Sequence, residues 1–60
     1  MAKRIEIRPV KKPEELGLDE SVKYYDVLIT ERGKVIDIVE EYCTEDALVE
    51  QIQVAEKLIG

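Results

Sequence analysis

The sequence predicts one small α+β domain over residues 1–60, in which a three-stranded antiparallel meander packs on one C-terminal helix. Three observations predict this fold: residues 3–10 alternate apolar and charged, two β-branched runs flank Arg32-Gly33, and residues 45–59 repeat apolar side chains at helical spacing. A chain of this length buries only roughly 60% of the surface that its unfolded form exposes. Such domains usually depend on disulfides, metals or oligomerisation.

The composition removes two of these three aids. Cys43 is the single cysteine, so no internal disulfide can form. Histidine, the commonest zinc ligand and the commonest general base, is absent. We therefore expect no metal, no cofactor and no enzymatic activity, and we expect a homodimer.

The chain also lacks the patterns of membrane proteins. No apolar run approaches the ~20 residues of a membrane span, and no apolar segment follows the basic N-terminus as in a signal peptide. A cytoplasmic protein without membrane contact is expected. Charged residues make up 38% of the chain and asparagine is absent, a composition typical of proteins from hot organisms.

The first strand is predicted by the strict alternation over residues 3–10, where Ile5 and Ile7 point to one face and charged residues to the other. Pro9 cannot donate a ladder hydrogen bond, so the strand ends there or lies at an edge of the sheet.

The loop that follows should contain one helical turn. Pro13 is suited to open this turn and Gly17 to end it. We expect Leu16 and Leu18 to enter the core and close one end of it.

Residues 22–31 and 34–42 are rich in β-branched and aromatic residues, which predicts a hairpin. A two-residue loop at Arg32-Gly33 predicts three opposing pairs: Glu31–Lys34, Ile29–Ile36 and Val27–Ile38. The alternative is a three-residue loop that includes Glu31, because arginine disfavours the positive φ of a type I′ turn. Apolar patterning favours the shorter loop and turn chemistry the longer one; we follow the patterning.

The helix is predicted over residues 45–58 or 45–59. Thr44 suits the N-cap position, and the acidic residues after it lie where the helix dipole favours negative charge. Cys43 and Leu48 are placed to form a hydrophobic staple across the helix start.

This helix carries more apolar surface than one sheet needs: its apolar arc spans about 220°, against the ~100° typical of a surface helix. The natural contacts for the sheet are Leu48, Ile52, Ala55 and Ile59. A second flank is formed by Ala47, Gln51, Val54 and Leu58. Either the sheet curls around the helix and covers this flank, or a two-fold axis passes there and Gln51 bonds to its symmetry mate. The small core favours the dimer.

The other face of the predicted sheet mixes apolar with acidic side chains. Its apolar members are Tyr24, Leu28, Val35 and Val39. This face is too polar for a core and too apolar for an unused surface, so a partner or a second subunit is expected to cover it.

The net charge of −5 is unevenly distributed. Residues 1–12 hold five cations and one acid, net +4, which leaves −9 for the other 48 residues. The cations form a candidate basic patch: Lys3, Arg4, Arg8, Lys11 and Lys12. Because the acidic body repels nucleic-acid phosphates, a solvated strand edge that resists aggregation is the favoured interpretation.

No catalytic constellation is visible. Cys43 has no histidine to activate it, so we interpret it as a packed thiol rather than a nucleophile. Five nearby carboxylates lack the spacing of a calcium loop: Asp37, Glu40, Glu41, Glu45 and Asp46. The chain has no glycine-rich phosphate loop and no nucleophile–base pair.

The hairpin and helix resemble the ββα unit of the YegP-like small proteins, a domain family of unknown function. The resemblance covers roughly residues 24–58 and rests on Gly33, Val35, Ile36, Glu40, Tyr42 and Ile52. Cys43 departs from the small hydroxyl residues that the family tends to have after the tyrosine. The resemblance implies packing of two such units and no transferable activity.

A second resemblance is to HicB-type antitoxins, in which a tyrosine-rich strand pair precedes a helix that begins T-x-E/D-x-A-L. The matching residues are Tyr24, Tyr25, Thr44, Asp46, Ala47 and Leu48. This likeness implies an acidic inhibitor of a protein partner. The third strand of that fold has no room between Tyr42 and Thr44.

Three functions follow as hypotheses. The first is a non-enzymatic protein-interaction module that forms a homodimer. The second is an acidic antitoxin-like inhibitor of a basic, nucleic-acid-binding partner. The third is weak nucleic-acid binding through the basic patch.

Overall fold

The computed structural model describes residues 2–60 and confirms the α+β arrangement of three antiparallel strands followed by a helix. The elements are β1 (Lys3–Pro9), β2 (Tyr24–Glu31), β3 (Lys34–Thr44) and α1 (Leu48–Ile59). The strand order is β1-β2-β3, so β2 is central and the other two strands are edges.

β1 pairs with β2 in a regular antiparallel register. Ile5 lies opposite Ile29, and Ile7 lies opposite Val27, so the apolar residues of both strands share one face. The edge strand ends at Pro9, as the missing N–H of proline predicts.

The connection between β1 and β2 contains a 3₁₀ turn over Pro13–Leu16, which Gly17 ends with a φ of 78°. This confirms the predicted turn. The expected burial of Leu16 is wrong, because its side chain is exposed on the outer side of the turn. Pro13 and Leu18 are half-buried instead.

The hairpin turn is the two-residue loop that the apolar pattern favours. Arg32 and Gly33 have φ values of 56° and 78°, and Glu31 pairs with Lys34. Two successive positive φ values are the signature of a type I′ turn. Arg32 therefore adopts a backbone conformation that arginine disfavours.

The predicted register of the hairpin is wrong beyond this turn. Ile29 opposes Asp37 rather than Ile36, and Val27 opposes Glu40 rather than Ile38. The cause is that β3 uses eleven residues where β2 uses eight. The register shifts at three places. The extra residues are Ile36, Val39 and one of the pair Glu41-Tyr42.

Each of these β-bulges adds one residue to β3 and reverses the facing of the residues beyond it. Ile38 consequently opposes Leu28, on the face away from α1, and is 52% exposed. Ile36 is also exposed, so neither isoleucine joins the core as expected. Val39, expected on the other face, packs against the core instead.

The core lies between the sheet and α1. Its fully buried members are Val27, Cys43 and Ala55. Half-buried apolar residues surround them: Ile5, Ile7, Val39, Ala47 and Leu48. Leu48 packs against the buried cluster that contains Cys43, as the predicted hydrophobic staple requires.

The start of the helical region differs from the predicted form. A 3₁₀ turn over Glu45–Ala47 precedes α1. Thr44 occupies the predicted N-cap position with the extended backbone of a cap, but its side chain makes no capping hydrogen bond. The Glu45 carboxylate instead accepts a hydrogen bond of 3.3 Å from the Tyr25 hydroxyl.

The molecule is flat and open for its size. Its Cα extents are 37 × 21 × 11 Å, and its radius of gyration is 12.0 Å, whereas a compact chain of this length has about 10.4 Å. Its accessible surface is 4566 Å², against about 4,000 Å² for a folded monomer of this mass. The fold therefore leaves on the order of 570 Å² more surface exposed than a typical monomer.

Candidate interaction surfaces

The side of the sheet away from α1 has no covering layer within residues 2–60, and we call it the open face. The pairing of the strands assigns ten residues to it: Arg4, Glu6, Arg8, Tyr24, Asp26, Leu28, Thr30, Val35, Ile38 and Thr44. Leu28 is only 6% exposed, whereas Val35 and Ile38 beside it are 42% and 52% exposed. Val35 and Ile38 thus form an exposed apolar ridge on β3, beside the buried Leu28 of the central strand.

Three of the four charged groups of the open face, those of Glu6, Arg8 and Asp26, have partners within residues 2–60. The Arg8 guanidinium contacts the Glu6 carboxylate two residues away, and this hydrogen bond raises the pKa of Arg8. Asp26 accepts a hydrogen bond of 3.1 Å from the Tyr42 backbone N–H. That bond holds Tyr42 in the left-handed conformation, with a φ of 57°.

The second flank of the helix is partly exposed, as its position on the helix predicts. Val54 and Leu58 are 42% and 54% exposed, and Gln51 is half-buried. Ala47 packs against the core, so three of the four predicted flank residues remain accessible. Val49, on the far side of α1, is exposed as well.

The structure places the four apolar residues that were predicted for the other sheet face on two different faces. Tyr24, Leu28 and Val35 lie on the open face, whereas Val39 lies on the core side. Sequence reasoning missed Ile38, because a regular strand places it on the core side. The one signal for the bulges was Asp37, an acid within an otherwise apolar run.

The five cations of the basic patch do not share one surface. Arg4 and Arg8 lie on the open face, whereas Lys3 lies on the opposite face, in line with Ile5. Lys11 and Lys12 are in the loop after β1, and the Lys12 ammonium is 3.8 Å from the Glu15 carboxylate.

Cys43 is 4% exposed, and its Sγ donates to the Thr44 carbonyl at 3.3 Å. Burial raises the pKa of the thiol, and the negative charges of Glu40 and Glu50 raise it further. A neutral, buried thiol is a poor nucleophile.

Carboxylates are spread along β3 and α1. Within residues 2–60, no group of three or more cysteine, aspartate or glutamate side chains is arranged to hold a metal ion. Across that same part of the chain, no helix combines the length and the apolar character that crossing a membrane requires.

No family model, no curated protein and no solved structure matches the chain. The resemblances to the YegP-like proteins and to HicB-type antitoxins therefore remain hypotheses.

Proposed function

We propose that the protein is a small, non-enzymatic protein-interaction module that acts as a homodimer. The observation that carries this proposal is the accessible surface of 4566 Å², which exceeds that of a typical monomer by on the order of 570 Å². Standard protein interfaces remove about 800 Å² from each partner, so the excess is of the size that one interface covers.

The nature of the exposed surface supports the same proposal. Among residues 2–60, eight large apolar side chains are at least 40% exposed, and seven of them lie on two elements. Those of β3 are Val35, Ile36, Ile38 and Tyr42, and those of α1 are Val49, Val54 and Leu58. Grouped exposed apolar residues mark interaction sites, whereas isolated ones are ordinary.

The small core gives a physical reason for association. Only five apolar residues within residues 2–60 are buried: Val27, Leu28, Ile29, Cys43 and Ala55. A domain that buries so little gains stability when a second copy covers further apolar surface.

Sedimentation equilibrium across the micromolar range tests this proposal. We expect a reversible equilibrium between 6.9 kDa chains and a species of twice that mass. A 6.9 kDa species at every concentration would refute the homodimer.

A second candidate function, binding of a basic protein, is favoured by the acids of β3. Glu40 and Glu41 are exposed, and neither forms an ion pair with another residue in 2–60. A pull-down should recover a basic nucleic-acid-binding protein that a Glu40→Gln/Glu41→Gln variant fails to retain. A Glu14→Gln/Glu15→Gln variant, which removes the same charge elsewhere, is the matched control. Equal retention by both variants would exclude these acids as the binding site.

A further inference from the structure

The open face is the surface on which the observations converge. Val35 and Ile38 are exposed there beside the buried Leu28, and the face extends over all three strands. Three strands spaced about 4.8 Å apart offer a broad, continuous surface, whereas the flank of one helix offers a narrow one. The open face is therefore better matched to the ~800 Å² that each partner of a standard interface loses.

The polar groups of this face do not oppose its coverage. Glu6 already contacts Arg8, and Asp26 already accepts the Tyr42 N–H. Within residues 2–60, no fully buried side-chain nitrogen or oxygen lacks a hydrogen-bond partner. Covering a charge is costly when the charge is left unpaired. Glu6 and Arg8 stay paired with each other, and Asp26 keeps its hydrogen bond.

The edges of the sheet are poor alternatives for a second copy. Bulges interrupt β3, and bulged edges resist the addition of another strand. Two copies of β3 placed side by side would also bring Asp37 and Glu40 of each copy close to the same acids of the other. Association by strand addition along β3 is therefore disfavoured, and at the other edge Pro9 of β1 has no N–H to donate to an added strand.

We propose, as a refinement that rests on the proposed homodimer, that two copies associate face to face through their open faces, with Val35 and Ile38 among the apolar residues that the contact covers. The dimer then has two sheets inside, about 10 Å apart, and one α1 helix on each outer side.

Charge selects the orientation of the two sheets. A two-fold axis parallel to the strands places β1 of one copy over β3 of the other. Because this axis keeps each residue at its level along the strands, the aliphatic stem of Arg4 lies over Val35 of the second copy, and Glu6 with its partner Arg8 lies over Ile38. An axis perpendicular to the strands, within the plane of the sheet, would instead place the arginines of both β1 strands together.

Sedimentation equilibrium with three variants tests the choice of surface. Ile38→Lys places a charge on the open face, Leu58→Lys on the second helix flank, and Val49→Lys on the far side of α1, at a residue that is 66% exposed. We expect Ile38→Lys to raise the dimer dissociation constant by at least ~10-fold, because it buries a charge at the interface. The other two variants should leave the constant within about twofold of the unchanged protein.

The outcomes separate this inference from the proposed function. A protein that is monomeric without any substitution refutes both. A dimer weakened by Leu58→Lys but not by Ile38→Lys overturns the open-face contact and leaves the homodimer standing. Circular dichroism of each variant shows whether it folds, and Val35→Lys provides a second open-face variant should Ile38→Lys fail to fold.

Spin labels test the orientation. A label on Lys34→Cys in a Cys43→Ala background marks the hairpin tip of each copy. An axis parallel to the strands places both tips at the same end of the dimer, less than ~25 Å apart, as the sheet spacing and strand spacing require. Double electron–electron resonance should detect this short distance. A separation near the 37 Å length of the molecule would overturn the orientation.

Discussion

Cys43 shows how a single residue combines packing with chemical protection. It is buried against Val27 and Ala55, so its thiol is part of the contact between the sheet and the helix. Burial is the main cause of its raised pKa, with Glu40 next in importance. The fold therefore keeps the thiol neutral at physiological pH.

The raised thiol pKa predicts a loss of stability in alkaline solution. An unfolded chain releases the thiol proton near pH 9.0, whereas the folded chain retains it at that pH. The contribution to the free energy of unfolding is therefore fully present below pH 9.0 and is lost as the pH rises further. As the pH rises through this range, the free energy of unfolding measured in urea titrations should fall less for Cys43→Ala than for the unchanged protein. If the free energy of unfolding changes with pH by the same amount in both proteins, the thiol has the same pKa in the folded and the unfolded chain, and the prediction is wrong.

Gly33 is the residue on which the hairpin turn depends. Its φ is 78°, and no heavy atom within 4 Å would meet an added Cβ, so a substitution there is opposed by backbone strain alone. We expect Gly33→Ala to lower the free energy of unfolding by about 1–2 kcal/mol in urea titrations. Lys34→Ala, at the next and exposed position, should stay within about 0.5 kcal/mol. Equal effects of the two variants would contradict the type I′ turn.

At the scale of elements, β3 explains why part of the fold was predictable and part was not. The Arg32-Gly33 loop and the packing of Leu48 against the cluster that contains Cys43 follow from local sequence and are present. The facing of Ile38 was not predictable, because it depends on bulges whose one local signal, Asp37, does not show where each bulge lies. A strand pattern with a period of two loses its meaning beyond one unrecognised bulge.

The same limitation applies to the candidate site. Val54 and Leu58 were correctly expected to be accessible, because α1 is regular and its helical period holds. Ile38 was missed because it follows a bulge, and Val39 was assigned to the wrong face because it lies at a bulge. Surfaces on the helix were thus more predictable than surfaces on the bulged strand.

The contact between α1 and the sheet depends on a small residue. Ala55 is 0% exposed and lies against Val27 and Cys43, so the helix backbone approaches the sheet closely there. Ala55→Leu should overpack this contact and lower the free energy of unfolding by about 1–3 kcal/mol in urea titrations. Gln53→Leu adds a leucine at an exposed position of the same helix and should change stability by no more than about 0.5 kcal/mol. A tolerated Ala55→Leu would mean that the helix can move away from the sheet.

At the scale of the whole molecule, stability and association are expected to be linked. A second copy that binds only the folded chain stabilises it by mass action, so the melting temperature should depend on protein concentration. We expect an increase of about 5–10 °C for a hundredfold rise in concentration, measured by calorimetry. Ile38→Lys should abolish most of this dependence. A melting temperature that is constant across concentrations would contradict the linkage.

The flat shape has a consequence for hydrodynamic measurements. A body with extents of 37 × 21 × 11 Å experiences more friction than a sphere of the same mass. In size-exclusion chromatography a single chain will therefore elute ahead of globular standards of 6.9 kDa, at a volume that imitates a larger particle. Early elution alone is no sign of two chains, and the diffusion coefficient has to be combined with an absolute mass before a stoichiometry is assigned.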